Sequence, residues 1–287
     1  GTELVQKKDR AECPNLISLE GVKELNEFTT QEDGWEIGSV VPLTEIAEQI
    51  GRECQAFNKI LRRFGSRAIR NRATLGGYLA TAWPTGQLAP LLMALNVRVI
   101  LLSEEGERDV PVASFFTRHG GTLLNPGEII RSIIIPRSTE SVLAARGITT
   151  RLCDTYTVAP RRALCEPYAT GAFAVELRDR KIVKAWIAYS GIDEQPVRAR
   201  EAEDFLAGKV WGEKTVFGVL PILNESVKVT GTRDEIASSE YRKQLVVTLF
   251  QKFFSQHPSH ESVRPETLTA TGDFAKLDQP FFDAISE

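Results

Sequence analysis

The sequence predicts an α+β fold in two domains, and three observations carry that prediction. Up to about residue 138 the apolar residues switch repeatedly between the helical and the strand period. Beyond about residue 140 two long strand-type runs follow one another, and helical spacing then takes over. The 287 residues, 42% hydrophobic and 25% charged, suffice for two ordinary cores.

The elements follow in order. WEIGSVV, residues 35–41, alternates as a short strand closed by Pro42. Thr44 is placed to N-cap a short helix carrying Ile46 and Ile50. Cys54, Phe57, Ile60, Leu61 and Phe64 form one apolar helix face, leaving Arg52, Lys59, Arg62 and Arg63 to solvent. Leu88 to Leu95 read as an apolar helix, VRVILLS as a buried strand, and EEGE as the hairpin turn into RDVPVASFF. EIIRSIIIP, residues 128–136, is a β-branched strand ended by Pro136. Loops then lead into YATGAFAVEL and KIVKAWIAYSGI, two strands joined by the charged turn RDRK. RAREAEDFLAG, GEKTVFGVLPIL and SSEYRKQLVVTLFQKFFSQH are helical, the last with a buried stripe of Tyr241, Leu245, Leu249 and Phe253. Residues 258–287 are polar and punctuated, as expected of a tail or linker.

Composition narrows the function. A formal net charge of −3 gives no field that would gather nucleic acid or an anionic membrane. No apolar run is long enough to span a bilayer, and the polar start shows no signal peptide. Cys13, Cys54, Cys153 and Cys165 lack metal-site spacing and read as reduced thiols of a cytoplasmic protein, so no metal site is expected. Three scattered histidines support no Ser-His-Asp or Cys-His arrangement, and no side chain is assigned a catalytic acid or base role.

One stretch asks for chemistry. TLGGYLATAWPTG, residues 74–86, sets Gly76 and Gly77 among Thr74, Thr81 and Thr85. Glycine lets a backbone lie close to a pyrophosphate, and threonine hydroxyls can bond its oxygens. The same residues also suit an ordinary strand-to-helix turn. Neither GxGxxG nor a P-loop is present, so the residues alone leave both readings open.

RRFGSRAIRNRATLGG, residues 62–77, resembles the QIRN-AT-GGN stretch of the flavin-binding domain of the molybdenum hydroxylases. That family includes xanthine dehydrogenase, the aldehyde oxidases and carbon monoxide dehydrogenase. LISLEGVKELNEF, IGSVVPLTEI and LLSEEGERDVPVASFF through LLNPGEIIRSIIIP are similar to further segments of it, in the same order. KAWIAYSGIDEQPVRAREAEDFLAGKVWGEKTV and SSEYRKQLVVTLFQKFF resemble its C-terminal flavoprotein domain. The resemblance implies a PCMH/VAO-type FAD-binding domain over 1–138 and, over 139–257, a C-terminal domain of antiparallel sheet and helical bundle. Gly1-Thr2-Glu3 resembles the end of the family's first nucleotide loop, so the FAD-binding domain is expected to be N-terminally incomplete.

Carried over by that resemblance, FAD contacts would come from Thr2, Glu3 and Leu4, from Phe64 near the flavin, and from Thr74, Leu75, Gly76 and Gly77 at the pyrophosphate. Tyr78, Thr81, Gly86 and Gln87 would lie nearby, with Ile130 against the ring. The sequence departs from the family at three places: Tyr78 replaces an asparagine, Gln87 an acid, and Thr157 a lysine, with Leu164 and Cys165 at later acidic positions. His119 falls near the expected nicotinamide approach and Trp83 could stack on adenine, although a loop histidine and a packing tryptophan are the ordinary alternatives. Arg67, Arg70 and Arg72 could neutralise a pyrophosphate or form a solvated basic loop. The implied function is the flavin module of a xanthine dehydrogenase-like oxidoreductase. It would pass electrons from [2Fe–2S] clusters through FAD to NAD or O2, with the clusters and molybdopterin on partner subunits or domains. The rival reading is a degenerate structural subunit that keeps the fold and partner interfaces without flavin.

Overall fold

Antiparallel pairing builds both main sheets of the chain. The computed structural model describes residues 2–4, 15–161, 165–230 and 237–258. Gly1–His257 form one compact unit, and the expected tail lies outside the described residues except for Pro258.

In the N-terminal half, β1 (Phe28–Thr30) pairs with β2 (Gly34–Gly38). Four helices follow: α1 (Leu43–Ile50), α2 (Gln55–Leu61), α3 (Arg67–Arg70) and α4 (Leu75–Thr81). Next comes α5 (Leu88–Ala94), buried at every position. The hairpin of β3 (Arg98–Ser103) and β4 (Gly106–Pro111) turns through Glu104-Glu105, as expected. A short α6 (Val112–Phe115) and the ribbon of β5 (Phe116–Thr117) and β6 (Gly121–Thr122) lead to β7 (Ile129–Pro136). This last strand inserts between β2 and β3, giving the order β1-β2-β7-β3-β4.

Two local expectations are corrected. Thr44 does not cap α1: Pro42 holds that position, and the Thr44 hydroxyl donates to Asn71 Oδ1 at 2.7 Å. The second helix stops at Leu61, so Phe64 leaves its face and joins a turn closed by the Gly65 backbone at φ +54°.

The C-terminal half starts with α7 (Glu140–Ala145), capped by Thr139, where only loop was expected. The sheet that follows has four strands rather than two: β8 (Thr150–Val158), β9 (Ala169–Arg178), β10 (Lys181–Ser190) and β11 (Val197–Arg198), in the order β11-β10-β9-β8. Three helices cover one face: α8 (Arg200–Leu206), α9 (Glu213–Ser226) and α10 (Ser239–Gln256). On α10, Leu245, Leu249 and Phe253 are buried, while Tyr241 is only half-buried.

The period-2 alternation of β9 and β10 divides the core. Ala172, Ala174, Trp186 and Ala188 face the N-terminal cluster that contains α5. Phe173, Val175, Ile187 and Tyr189 face the cluster of α8, α9 and α10. A sheet covered on both sides needs near-continuous apolar strands, which YATGAFAVEL supplies. The three alanines leave room for a helix on one face, while aromatic rings fill the other.

Candidate functional site

The paired glycines sit in the first turn of α4, which Thr74 caps: its Oγ1 accepts from the Gly77 N–H at 3.0 Å. Neither glycine has a positive φ, and α3 rather than a strand precedes them, so the expected strand-to-helix turn is not formed. Their surroundings differ. Gly76 is buried and donates its N–H to the Ser39 carbonyl at 3.1 Å. A Cβ there would fall 2.6 Å from both Ser39 Cβ and the Ser39 carbonyl oxygen. Gly77 is exposed, and a Cβ there would meet only Thr74 Oγ1, at 3.0 Å. The close approach at Gly76 is thus to the protein's own β2 end, and the bare outward backbone is that of Gly77. Thr81 turns its hydroxyl to the Gly77 carbonyl at 2.9 Å, inside the helix.

Tyr78 extends away from this turn toward α5. Its phenol oxygen accepts from the Ala89 N–H at 2.9 Å, and burial pushes the phenol pKa well up, outweighing the backbone hydrogen bonds from Ala89 and Leu88. A Cβ on Gly86 would lie 2.3 Å from that oxygen, so Gly86 is the space Tyr78 occupies. Phe64 meets the Tyr78 ring edge to face, with centroids 5.8 Å apart. Phe64, Tyr78 and Gly86 are therefore one packed group.

The Trp83–Gln87 segment is fastened from the C-terminal half. The Gly191 N–H donates to the Pro84 carbonyl at 2.9 Å, and Thr85 Oγ1 donates to Glu166 Oε1 at 3.0 Å. Arg242, 2% exposed on α10, bonds the carbonyls of Tyr168 and Gly191 and so fixes the docking strand end. Glu166, Gly191 and Arg242 had no local signal in the sequence, because each acts on the segment from 80 or more residues away.

The other expected positions scatter. Thr2, Glu3 and Leu4 form a turn, with Leu4 exposed. Ile130 is 6% exposed within the N-terminal core, where it pairs with Leu101. Its side chain packs with that core. Trp83 is exposed rather than packed, and the exposed His119, at φ +62°, faces Glu194 at 3.2 Å. Thr157 shares a hydroxyl contact with Thr170 at 3.2 Å; Leu164 lies outside the described residues. Arg72 pairs with Glu20, whereas Arg70 donates to the carbonyls of Phe64 and Gly65.

An FAD pyrophosphate needs backbone it can approach and polar atoms not already spent. Gly77 presents exposed backbone on which a Cβ would meet only Thr74 Oγ1, at 3.0 Å, and Gln87 Oε1 and Ser39 Oγ are buried without a hydrogen-bond partner. The residues fit the group. Among the described residues no helix is long and apolar enough to cross a membrane.

A five-stranded antiparallel sheet with a glycine-bearing helix is joined to a second antiparallel sheet under helices. Residues 1–138 match the FAD binding domain in molybdopterin dehydrogenase, and residues 154–257 the CO dehydrogenase flavoprotein C-terminal domain. The chain belongs to the molybdenum hydroxylase family and carries its FAD-binding domain. It is 29% identical to the nicotinate dehydrogenase FAD-subunit of Eubacterium barkeri, over 88% of this chain and 85% of that one. It is 28% identical to xanthine dehydrogenase 2 of Arabidopsis thaliana over 91% of this chain, and spans 20% of that protein's length. The fold matches carbon monoxide dehydrogenase of Hydrogenophaga pseudoflava with a TM-score of 0.71 at 18% identity, covering 80% of this chain and 76% of the other.

Proposed function

We propose that this chain is the flavin module of a molybdenum hydroxylase, taking electrons from iron–sulfur clusters and delivering them to NAD or O2. The observation that carries the reading is the pair of matched domains, in order, the first holding a glycine turn whose backbone is exposed at Gly77. Bound FAD would supply the redox chemistry, linking one-electron clusters to a two-electron acceptor. The chain's own part is positional: Thr74 to Gly77 hold the phosphates, Phe64 packs beside the flavin site through Tyr78, and the Trp83–Gln87 segment closes one side. The clusters and the molybdenum cofactor would belong to partner subunits or domains, as would the choice of substrate. The same reading divides the chain near residue 138 into an FAD-binding and a C-terminal domain, and places it in the cytoplasm.

The degenerate, flavin-free reading rests on one observation, that the Tyr78 phenol is spent on Ala89 rather than left for a ligand. Titration of the purified chain with FAD separates the two. Saturable quenching of flavin fluorescence near one equivalent supports the flavin module, and its absence at micromolar FAD supports the structural subunit. Anaerobic bleaching of the bound flavin by NADH then assigns NAD as acceptor, whereas a flavin inert to NADH and reoxidised by air assigns O2.

A further inference from the structure

N-terminal to the glycine turn, α1, α2 and α3 border an open cleft of about 720 Å³ whose lining includes none of Thr74 to Gly77. One wall is Thr44, Ala47 and Glu48 of α1 with its C-cap Gly51, spaced three and four apart beside the buried face of Leu43, Ile46 and Ile50. Small residues on that face leave the concavity. Arg52, Arg62, Arg67 and Arg70 line the rest, facing a single carboxylate, Glu48.

These guanidinium groups differ from others in the same half. Arg98, Arg108, Arg131 and Arg137 each meet a carboxylate within 2.9 Å, at Asp109, Glu128, Glu36 and Glu53 respectively. Arg62 instead donates to the neutral Asn58 Oδ1 at 2.9 Å, and Arg70 to two backbone carbonyls. Neither Arg52 nor Arg67 has an ion pair with a described carboxylate. Four arginines around one concavity, against the single carboxylate of Glu48, leave three positive charges in excess and a positive potential there. Arginine forks match phosphate oxygens in pairs, and the volume suits a nucleotide-sized ligand.

We propose that this cleft is a binding site for a diphosphate-bearing small molecule, separate from the flavin turn and independent of the flavin reading. Arg52 and Arg67, with no anionic partner, would be its principal contacts. The diphosphate could arrive free or as part of a nucleotide, and the shared chemistry is two adjacent phosphates between opposed guanidinium groups.

The test titrates inorganic pyrophosphate, ADP and NAD separately into the purified chain, alone and with FAD present, by calorimetry at about 0.15 M salt, where exposed charges are largely screened beyond about 8 Å. Saturable binding of pyrophosphate supports a site for the diphosphate itself. Binding of ADP or NAD without pyrophosphate supports it with a nucleotide as the source. Arg52→Glu and Arg67→Glu should each weaken binding about tenfold or more with melting temperature unchanged, and Arg52→Glu should keep its flavin content. Arg67→Gln, which removes the charge without reversing it, should fall between. Absence of binding by all three ligands, affinity indifferent to all three substitutions, or release of FAD on titration would each overturn the proposal. Flavin content is read separately, so loss of the flavin reading and loss of this one cannot be confused.

Discussion

Gly76 and Gly77 are neighbours with opposite duties, and replacing each by alanine should separate them. At Gly76 a Cβ would sit 2.6 Å from Ser39 Cβ and from the Ser39 carbonyl oxygen, and 2.9 Å from Ser39 Cα. None of these is the far end of a flexible side chain. Ser39 is 5% exposed and its carbonyl also takes the Gly76 N–H, so α4 must move off β2 and stretch that bond. Overpacking of this kind costs about 1–3 kcal/mol, and contact with backbone places Gly76→Ala near the top of that range. For a unit of this size about 3 kcal/mol lowers the melting temperature by about 6–12 °C. At Gly77 the added methyl meets only Thr74 Oγ1, at 3.0 Å, against a helix-propensity gain of up to about 1 kcal/mol. Gly77→Ala should therefore melt within about 1 kcal/mol of the parent while its FAD affinity falls, because the methyl stands where phosphate would approach. Thermal unfolding without flavin, beside FAD titration of the same samples, reads both quantities. A Gly76→Ala chain as stable as the parent would refute the packing argument. Undiminished FAD affinity in Gly77→Ala would take Gly77 out of the site.

Three further outcomes follow from particular contacts. Tyr78→Phe strips the Ala89 N–H of its acceptor and should cost about 1–3 kcal/mol in urea unfolding; an unchanged midpoint would mean that bond contributes nothing. Arg242→Met leaves the Tyr168 and Gly191 carbonyls unpaired and should cost about 3 kcal/mol, with faster hydrogen exchange at the Gly191 N–H that holds Pro84. Exchange there at the parent's rate would argue against Arg242 as the fastening. Asp154 is held at about 2 against its ordinary 3.8: burial alone would raise it, but His257 Nε2 nearby at 3.9 Å, the hydrogen bond and charge of Lys59 at 2.9 Å and the Thr155 N–H outweigh burial. A depressed carboxyl stabilises the fold above its unfolded value and loses that contribution as pH falls through the folded one, here from about pH 4 to pH 2. Allowing for partial exposure, the pair contributes about 1–2 kcal/mol. Asp154→Asn should be less stable than the parent by that amount at pH 7 and equal to it near pH 2, and a gap that persists in acid would contradict the linkage.

What the sequence made legible were elements whose own residues decide them. EIIRSIIIP is β-branched and ends in proline, and it is β7 over Ile129–Pro136. LAPLLMA is apolar on every side, and α5 is buried on every side between two layers. The longest strand that escaped, β8, reads TRLCDTYTV, with charges and hydroxyls where apolar alternation would be sought. Those groups are satisfied from far along the chain: Asp154 by Lys59 at 2.9 Å, Tyr156 by Gln256 at 2.7 Å. Long-range pairing of that kind leaves no periodic trace. Thr44 misled for a related reason, since a hydroxyl suited to capping was taken by Asn71 across 27 residues. At the candidate site the residue types were legible and their division of labour was not. The glycine pair stood out, but that Gly76 serves Ser39 and Gly77 faces outward depends on where β2 ends.

The departure at Tyr78 gains a physical account from the same geometry. An asparagine at that position could not reach the Ala89 N–H at the start of α5 as the longer phenol does at 2.9 Å. The phenol needs a channel, and Gly86 provides it, because any Cβ there would fall 2.3 Å from the phenol oxygen. Phe64 supports the ring from its edge, and Gly191 and Glu166 hold the intervening segment at Pro84 and Thr85. Tyr78 therefore joins α4 to α5 through the one glycine that admits it, and α5 lies directly on β9 and β10. The turn at Gly77 is thereby tied toward the C-terminal sheet through the half-buried Tyr78 ring. If that tie positions the turn, Tyr78→Phe should weaken FAD binding as well as the fold, while leaving the Gly77 backbone untouched. A Tyr78→Phe chain that loses stability yet keeps full FAD affinity would show that the ring serves packing alone. Rescue of affinity by Tyr78→Asn would instead show that the site wants a polar group close to Gly77 and that the tie to α5 is dispensable.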